Sequence, residues 1–551
     1  MTDRHCNCDD TRVLHNRLYP RMVNDIIPCS ACPRFHQATR PAHPSEMIHM
    51  ATGRIAVLCA IVTATCFSTA VAAEAPVAIG SRRELLVDHA LIAKCEGEAA
   101  LRLNRPTPRE IALVFDQPWE GNSSGAYNTV FFDGDRYRMY YLTYQQVLKG
   151  DPASHPIFTC YAESKNGIDW IKPELEQFEF AGSKKNNIIM WNGYDKDSEA
   201  IIVPFKDANP NCKPEQRYKA LVNIHSSMHA LQSADGLHWS EISDKPVITK
   251  GAFDSQNLAF WDPVRNEYRA YVRDFRDGLR DIRTATSPDF VHWTEPVWLD
   301  YPGAPRQQLY TNGVMPYYRA PHVFLGFPTR YTERGWCDSM RALPELEHRK
   351  KRSASSDREG MALTDGLFMA SRDGLTFERW SEAFLRPGLR GTDNWAYGDN
   401  YQSWGLVETK SAIPDAPDDI SLYATEGYWL GKANKLRRFT IRKDGFVSMH
   451  ASFAGGGFTT KPITFQGDRL ALNFSTSAAG MIRVEIQDAD GKPIEGFALL
   501  DSSEVFGDDL ERTVTWKHGG DVGKLASKPI RLHFTLSDAD LYSFQFQTAP
   551  Q

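Results

Sequence analysis

The chain has 551 residues, of which 42% are hydrophobic and 11% aromatic. This is enough apolar material to bury the cores of about two or three domains, and it excludes global disorder. The formal net charge of −6, with no long basic run, argues against a nucleic-acid or anionic-membrane surface. An acidic, aromatic-rich chain favours a neutral or cationic ligand, although mild acidity that only aids solubility is an equally good interpretation.

The N-terminal region predicts a targeting segment. Arg54 precedes the apolar run Ile55–Ala73, which ends in small residues as secretory signal peptides do. We therefore predict a signal peptide at residues 47–73, a non-native upstream extension at residues 1–46, and a secreted or periplasmic protein without a stable membrane span. A zinc-binding knuckle is the alternative interpretation of four cysteines in the extension, namely Cys6, Cys8, Cys29 and Cys32.

The cysteines that follow the predicted signal peptide do not have the spacing of metal ligands, so neither a metal nor another cofactor is predicted. They are Cys95, Cys160, Cys212 and Cys337.

Residues 74–110 are predicted to be a lead-in segment that packs along the main domain. After it a turn signature recurs: a serine, an Asp or Asn two residues later, usually a glycine next, and an aromatic residue three positions further on. This signature predicts tight turns between strands, because Asp-Gly and Asn-Gly pairs readily adopt positive φ. Its copies begin at Ser164, Ser233, Ser287, Ser371 and, in degenerate form, Arg442.

A β-rich segment precedes each copy and is predicted to be the second strand of its unit. These segments are Tyr137–Tyr141, Tyr218–Val222, Tyr268–Val272, His322–Gly326 and Ile420–Ala424. Together with the absence of a sustained helical period, the units predict an all-β fold with a five-bladed β-propeller over residues 111–450.

Two further segments complete the predicted architecture. The charged excursion Thr332–Thr364 interrupts the fourth unit and is predicted to be a lid or, as is commoner for such composition, a solvated loop. After Gly455–Gly457, short alternating runs separated by turns predict a C-terminal β-sandwich at residues 451–551.

In a propeller the innermost strands line one channel, so the residues that open these strands converge at one mouth. Cleavage of a glycoside needs one protonated and one ionised carboxyl group, and aromatic rings stack on sugar faces. The catalytic candidates at these positions are Asp254, Glu120, Asp274 and Glu426. The substrate-binding candidates are Tyr127, Asn257, Arg273, Arg306, Trp395 and Asp399.

A turn former or a strand-end ion pair is the competing interpretation of each carboxylate. Arg273-Asp274 in particular is either a structural pair or a device that tunes a neighbouring carboxylate. Motifs of other chemistries are absent from the sequence, which has no Gly-x-Ser-x-Gly elbow, His-Glu-x-x-His pair, P-loop or dinucleotide fingerprint.

The stretches Gly251–Asn257 and Arg273–Gly278 resemble secreted bacterial proteins of the glycosyl hydrolase family 32-like group, and the likeness covers nearly all of residues 80–548. The resemblance implies membership of the superfamily of five-bladed propellers that includes invertases, levansucrases and arabinanases, and hence a carbohydrate ligand. The chain departs from the motifs of that superfamily, since it lacks Asn-Asp-Pro-Asn-Gly, Arg-Asp-Pro and Glu-Cys. Glu120 replaces the first acid only by position.

The sequence thus predicts a glycoside hydrolase-like protein that acts on a polysaccharide or oligosaccharide through paired carboxylates at the propeller mouth. A non-catalytic carbohydrate-binding propeller is the alternative. A structural platform for protein–protein contacts is a third hypothesis, and no nucleic-acid partner is predicted.

Overall fold

The computed structural model describes residues 74–148, 156–191, 198–430 and 434–548, and β-strands dominate this part of the chain. The predicted all-β class is therefore confirmed at the level of secondary structure. The predicted signal peptide and upstream extension lie outside the described residues. No helix within the described ranges is long and apolar enough to cross a membrane.

Four consecutive antiparallel sheets follow one another along the chain. Each predicted second strand lies within the strand that is second in the hydrogen-bonded order of its sheet. The first sheet comprises Thr129–Phe132, Tyr137–Thr143, Phe158–Ser164, Trp170–Ile171 and Ile188–Trp191. The second comprises Ser198–Ile202, Phe205–Lys206, Tyr218–Ile224, Ser227–Ser233 and Ser240–Glu241. The third comprises Leu258–Asp262, Glu267–Arg276, Leu279–Ser287 and Val297–Trp298. The fourth comprises Met315–Tyr317, Ala320–Gly326, Met369–Ser371 and Glu378–Arg379.

A fifth antiparallel sheet joins the two ends of this region. Val407–Thr409, Asp419–Glu426 and Asn434–Ile441 are followed in the sheet by Thr107–Phe115, which comes from the start of the region. This pairing satisfies the backbone groups of a strand that would otherwise be an exposed edge. It also places the end of the predicted lead-in segment in a sheet of the repeat region.

The predicted turn signature is confirmed in detail. In each complete copy the serine Oγ accepts hydrogen bonds from the backbone N–H groups two and three residues later. The Oδ1 atom of the Asp or Asn accepts hydrogen bonds from the backbone N–H groups two and three residues after it. The residue after the Asp or Asn has positive φ in all four copies: Gly167 (70°), Gly236 (79°), Phe290 (71°) and Gly374 (76°).

Tyrosine hydroxyl groups tie several of these turns to a neighbouring sheet. A tyrosine of the fifth sheet donates a hydrogen bond to the turn of the first sheet. A tyrosine of the third sheet donates to the turn of the fourth sheet, and a tyrosine of the fourth sheet donates to the turn of the fifth sheet. The donor–acceptor pairs are Tyr423 to the Gly167 carbonyl, Tyr271 to the Gly374 carbonyl (2.8 Å) and Tyr317 to the Asp444 carboxylate (2.7 Å).

The predicted excursion Thr332–Thr364 differs from the solvated loop that its composition favours. It carries the helices α1 (Asp338–Arg341), α2 (Leu346–Ser353) and α3 (Asp357–Met361). A small sheet flanks these helices and consists of Gln308–Leu309, Thr329–Glu333 and Ala362–Gly366. Two arginines of α2, Arg349 and Arg352, are buried in the packing of these helices. The guanidinium carbon of Arg352 lies 4.2 Å from the ring centroid of Trp429, a cation–π contact.

The C-terminal region forms a ten-stranded sheet together with residues 77–103. Its strands are Val77–Gly80, Arg83–Leu85, Ile92–Gly97, Ala100–Leu103, Val447–Ala451, Gly456–Thr460, Ile463–Phe465, Arg469–Asp488, Asp508–Thr513 and Ile530–Gln547. The strands of the lead-in hydrogen-bond the C-terminal sheet, while its side chains Leu85 and Val87 share a core cluster with residues of the repeat region. Several short runs predicted as separate strands are parts of the two longest strands.

Asp444, in the degenerate fifth turn, joins the C-terminal sheet to the rest of the molecule. Its buried carboxylate accepts hydrogen bonds from Tyr317 (2.7 Å) and Arg319 (2.9 Å) of the fourth unit. It also accepts from Ser543 (2.8 Å) and Asn473 (3.0 Å) of the C-terminal sheet. A buried carboxylate with this many donors is well satisfied, so the degenerate signature has a structural role.

Candidate functional site

A cluster of six tyrosines forms a small core of its own, in which four rings are at most 7% exposed and the rings of Tyr127 and Tyr428 are partly buried. The tyrosine cluster consists of Tyr127, Tyr310, Tyr331, Tyr397, Tyr401 and Tyr428. The ring of Tyr401 stacks on Tyr310 at 5.3 Å and on Tyr127 at 6.0 Å between centroids. The Tyr397 hydroxyl group lies 2.8 Å from that of Tyr310. Tyr127, which precedes Thr129–Phe132, therefore belongs to the same aromatic cluster as Tyr310, which precedes Met315–Tyr317.

Arg273 connects this cluster with Asp254. The guanidinium carbon lies 5.9 Å from the Tyr310 ring centroid, and Nε donates to the Ala252 carbonyl at 2.9 Å. Arg273 is buried and forms an ion pair with Asp254, whose side chain is 63% exposed. Burial lowers the pKa of Arg273 from its ordinary value. A charged Asp254 carboxylate is the form that this cationic partner stabilises.

Asn257 fixes the loop that carries Asp254. Its amide nitrogen donates to the carbonyls of Phe253 (2.8 Å) and Ser255 (2.9 Å), and its Oδ1 accepts from the Arg273 N–H (3.0 Å). Because Asn257 is buried and all of these bonds are internal, it positions Arg273 and the loop.

Glu359 of α3 is a carboxyl group at the cluster that the sequence reasoning missed. It is only 5% exposed and lies 3.5 Å from an Arg352 nitrogen and 3.4 Å from an Arg358 nitrogen. Burial raises the pKa of Glu359 against the opposing effect of the two arginines. Burial first, and then the charges of Tyr310 and Glu359, raise the pKa of Tyr397. Ala362, which directly follows α3, is buried in the same cluster as Tyr397, so the helix that carries Glu359 ends at the tyrosines.

Asp399 and Glu426 lie together, but in a different place. Both line a cavity of about 560 Å³ at the fifth sheet. The buried Asp399 carboxylate accepts from the N–H groups of Ala396 and Tyr428 (2.9 Å each), and burial raises its pKa to about 7. Glu426 forms a 2.8 Å ion pair with Arg437. Asp399 thus holds the backbone that presents part of the tyrosine cluster.

Glu120 is isolated from both places. Its buried carboxylate accepts from Lys172 (2.7 Å), the Tyr141 hydroxyl group (2.7 Å) and the Gln117 N–H (2.8 Å). Burial raises the pKa of Glu120, while Lys172 opposes the shift. This environment is that of a structural ion pair inside the first sheet.

The other predicted residues also lie apart from Asp254. Asp274 follows Arg273 in its strand and so faces the other side of the sheet, where it pairs with Arg283 at 2.6 Å. Arg306 is exposed and pairs with Asp277 at 3.0 Å. The Trp395 indole N–H donates to a backbone carbonyl in its own loop, at 3.0 Å.

Buried amide side chains surround the strand openings. Gln256 donates to the Asn128 carbonyl at 3.0 Å, and Asn312 donates to the Gln256 carbonyl at 3.1 Å. The side-chain oxygens of Asn128, Gln256 and Gln402 have no hydrogen-bond donor among the described residues. Among all residues that the structure describes, no group of three or more His, Cys, Asp or Glu side chains is arranged to hold a metal ion.

No known protein-family profile and no curated protein matches this chain. Solved structures are similar to it at low identity. One described as a glycoside hydrolase is 13% identical, with 61% of this chain and 92% of that chain covered and a TM-score of 0.37.

Two further structures are similar to the same degree. An N-acetylgalactosamine deacetylase from F. plautii in complex with blood group B trisaccharide is 11% identical, covers 79% of this chain and 95% of its own, and has a TM-score of 0.37. A structure from work on GH130 glycoside hydrolases that target β-1,2 mannosidic linkages in Candida mannan is 14% identical, covers 65% of this chain and 96% of its own, and has a TM-score of 0.34. At these values the likeness carries no argument about activity.

Proposed function

We propose that the protein is glycoside hydrolase-like and acts on a polysaccharide or oligosaccharide at the tyrosine cluster. The observation that carries this proposal is that two carboxyl groups in contrasting environments are each connected to the tyrosine cluster, Asp254 through Arg273 and Glu359 through its charge near Tyr397. Asp254 is exposed beside the Arg273 cation, whereas Glu359 is buried and has a raised pKa. Such contrasting environments separate an ionised carboxylate from an acid that keeps its proton.

The proposed chemistry assigns one role to each group. Glu359 donates its proton to the oxygen of the leaving sugar as the glycosidic bond breaks. Asp254 either attacks the anomeric carbon or removes a proton from the water that attacks it, and the tyrosine rings hold the sugar faces. A carboxyl separation of about 5 Å goes with retention of configuration, and one of about 6.5–9.5 Å goes with inversion.

The proposal extends to the architecture. We propose that the five sheets are the blades of one closed propeller, that residues 451–551 belong to a β-sandwich, and that the protein is exported after removal of residues 47–73. The tyrosine–turn bonds between neighbouring sheets and the Thr107–Phe115 strand in the fifth sheet support the closed ring.

A non-catalytic carbohydrate-binding propeller remains the second candidate function. It is favoured by the observation that all four predicted catalytic acids are held in ion pairs. These pairs are Glu120 with Lys172, Asp274 with Arg283, Glu426 with Arg437 and Asp254 with Arg273.

A screen of the purified chain against plant and algal glycans separates these functions. Release of reducing sugar and retention on immobilised glycan are measured in parallel. The proposed function predicts release from at least one glycan. Retention without release from any glycan supports the binding propeller instead, and the absence of both contradicts both functions.

A further inference from the structure

An arginine-rich cavity adjoins the tyrosine cluster. Its volume is about 210 Å³, and it lies between the tip of the hairpin formed by Glu267–Arg276 and Leu279–Ser287 and the segment 300–309. Four arginines and three aspartates line it: Arg276, Arg280, Arg306, Arg379, Asp277, Asp281 and Asp300. Its formal charge is therefore positive, in contrast to the net charge of −6 of the chain.

Two of these arginines have acidic partners inside the cavity. Arg306 pairs with Asp277 at 3.0 Å, and Arg276 lies 3.8 Å from Asp281. The Arg306–Asp277 pair lies towards the solvent, since both side chains are more than half exposed, whereas the Asp281 side chain is only 14% exposed.

Arg280 and Arg379, only 7% and 6% exposed, form no ion pair with an acidic side chain among the described residues. Burial lowers the pKa of Arg379, and the charges of Tyr301 and Asp281 oppose this shift, so Asp281 is an acidic neighbour of Arg379. Arg280 donates to the Gln308 side-chain oxygen at 2.7 Å, and Arg379 donates to the Gln307 side-chain oxygen and the Pro305 carbonyl. The Nε group of each arginine has no hydrogen-bond partner in this part of the chain. Arg280 is therefore a buried cation whose side-chain hydrogen-bond acceptor is a neutral amide, so an anion that reached it would be stabilised.

Arg280 also touches the tyrosine cluster. Its guanidinium carbon lies 4.9 Å from the Tyr310 ring centroid and 4.6 Å from that of Tyr331. Because the Tyr310 and Tyr331 rings are only 7% and 3% exposed, Arg280 joins the cavity to the buried side of the tyrosine cluster. The planar fork of arginine suits carboxylate and sulfate oxygens, which it binds by charge-assisted hydrogen bonds.

We propose that this cavity binds an anionic substituent, a carboxylate or a sulfate ester, of a sugar held at the tyrosine cluster. The substrate class is then an acidic glycan, in place of the neutral or cationic ligand that the overall composition favours. This inference rests on the proposed function for the sugar, but the anion site itself is testable without any sugar.

The first experiment titrates the full chain with inorganic sulfate and with acetate, against chloride at equal ionic strength, and measures thermal stability. We expect both anions, or one of them, to stabilise the wild-type protein, and R280Q to lose this response. R136Q is the matched control, because it removes one surface charge from a hairpin of the first sheet, away from the cavity. No anion-specific response, or an equal response in R280Q, overturns the anion site.

The second experiment measures binding of oligogalacturonate, of its neutral methyl ester and of a sulfated galactan oligosaccharide. We expect an acidic oligosaccharide to bind at least about tenfold more tightly than the neutral ester, since charge-assisted hydrogen bonds are the strong ones. The preference should disappear in R280Q, return in part in R280K and persist in R136Q. A preference for carboxylate over sulfate, or the reverse, identifies the source of the anion.

The possible failures are distinguishable. Equal binding of acidic and neutral oligosaccharides contradicts the anionic substrate class and leaves the proposed sugar site intact. If no glycan in the panel described above binds while sulfate or acetate still stabilises the wild type through Arg280, the sugar function fails and the anion site stands. A folding defect in R280Q is detected by its thermal transition without anions, and R280K then carries the comparison.

Discussion

At the scale of single residues, the cationic partner of each predicted acid decides whether that acid is available for chemistry. Glu120, Asp274 and Glu426 are each held by a cation, and the sequence gives no sign of this because Lys172, Arg283 and Arg437 are distant along the chain or on another strand. Asp254 differs because its partner Arg273 also contacts an aromatic ring of the cluster.

Glu359 was not predictable from its local sequence. It lies in a run of charged residues, and such composition normally indicates a solvated segment. Its burial depends on the packing of α2 and α3, in which Arg352 is covered by Trp429. Only the spatial proximity to Tyr397 identifies it as a member of the site.

Replacement of Glu359 by Gln tests its role as the acid. We expect sugar release to fall by about 10²–10⁴-fold, the usual contribution of a general acid. In the wild type, release should decline as pH rises through the raised pKa of Glu359, because the proton to be donated is then lost. The measurement is the pH–rate profile of reducing-sugar release.

Glu347→Gln is the control, since Glu347 lies in the neighbouring helix α2 and its side chain is 85% exposed. An unchanged rate and profile in Glu359→Gln would exclude Glu359 as the acid.

At the scale of elements, the turns were the most predictable feature. Their Ser and Asp or Asn side chains hydrogen-bond only to their own turn, so a local sequence signature is sufficient. The lengths of the C-terminal strands were not predictable, because Arg469–Asp488 and Ile530–Gln547 continue through a register shift that short alternating runs do not reveal.

Gly374→Ala tests the contact between a turn and the neighbouring sheet. A Cβ at Gly374 would lie 2.9 Å from the Tyr271 hydroxyl oxygen and from a Phe324 ring carbon, and φ is +76°. The positive φ costs about 1–2 kcal/mol, and the overlap adds about 1–3 kcal/mol. The measurement is the free energy of unfolding by urea.

Gly303→Ala is the matched control, since φ is +74° and no atom lies within 4 Å of the added Cβ. We expect Gly303→Ala to lower the free energy of unfolding only by the cost of the positive φ, about 1–2 kcal/mol. Equal losses in the two variants would show that the tyrosine–turn contact contributes nothing measurable.

At the scale of the whole molecule, buried carboxylates connect regions that are far apart in the sequence. Glu84, at the start of the described chain, lies between the C-terminal sheet and the fourth sheet, where Arg372 and His322 contact it. Burial alone would raise the pKa of Glu84, but the hydrogen bond of His322 and the charges of Arg372, His322 and Arg82 lower it to about 2.

This shift predicts a loss of stability in acid. Because the folded-state pKa of Glu84 is below its ordinary value of 4.5, its contribution is complete above about pH 5 and is lost as pH falls towards 2. The shift corresponds to about 3 kcal/mol. Urea unfolding of wild type and Glu84→Gln between pH 7 and pH 3 measures it.

The two proteins should differ most at pH 7 and converge in acid. Glu347→Gln again serves as the control, because its exposed carboxylate should leave the pH dependence unchanged. A constant difference between wild type and Glu84→Gln across this range would contradict the assignment.

The central claim, that Asp254 acts on a glycan at the tyrosine cluster, is tested most directly by the rate of sugar release in Asp254→Asn. The control is Asp135→Asn, because Asp135 is equally exposed and also paired with an arginine, Arg136, but lies in the first sheet. We predict that Asp254→Asn folds and retains glycan but releases sugar at least about 10²-fold more slowly, while Asp135→Asn matches the wild type. Release by Asp254→Asn at the wild-type rate would contradict the account.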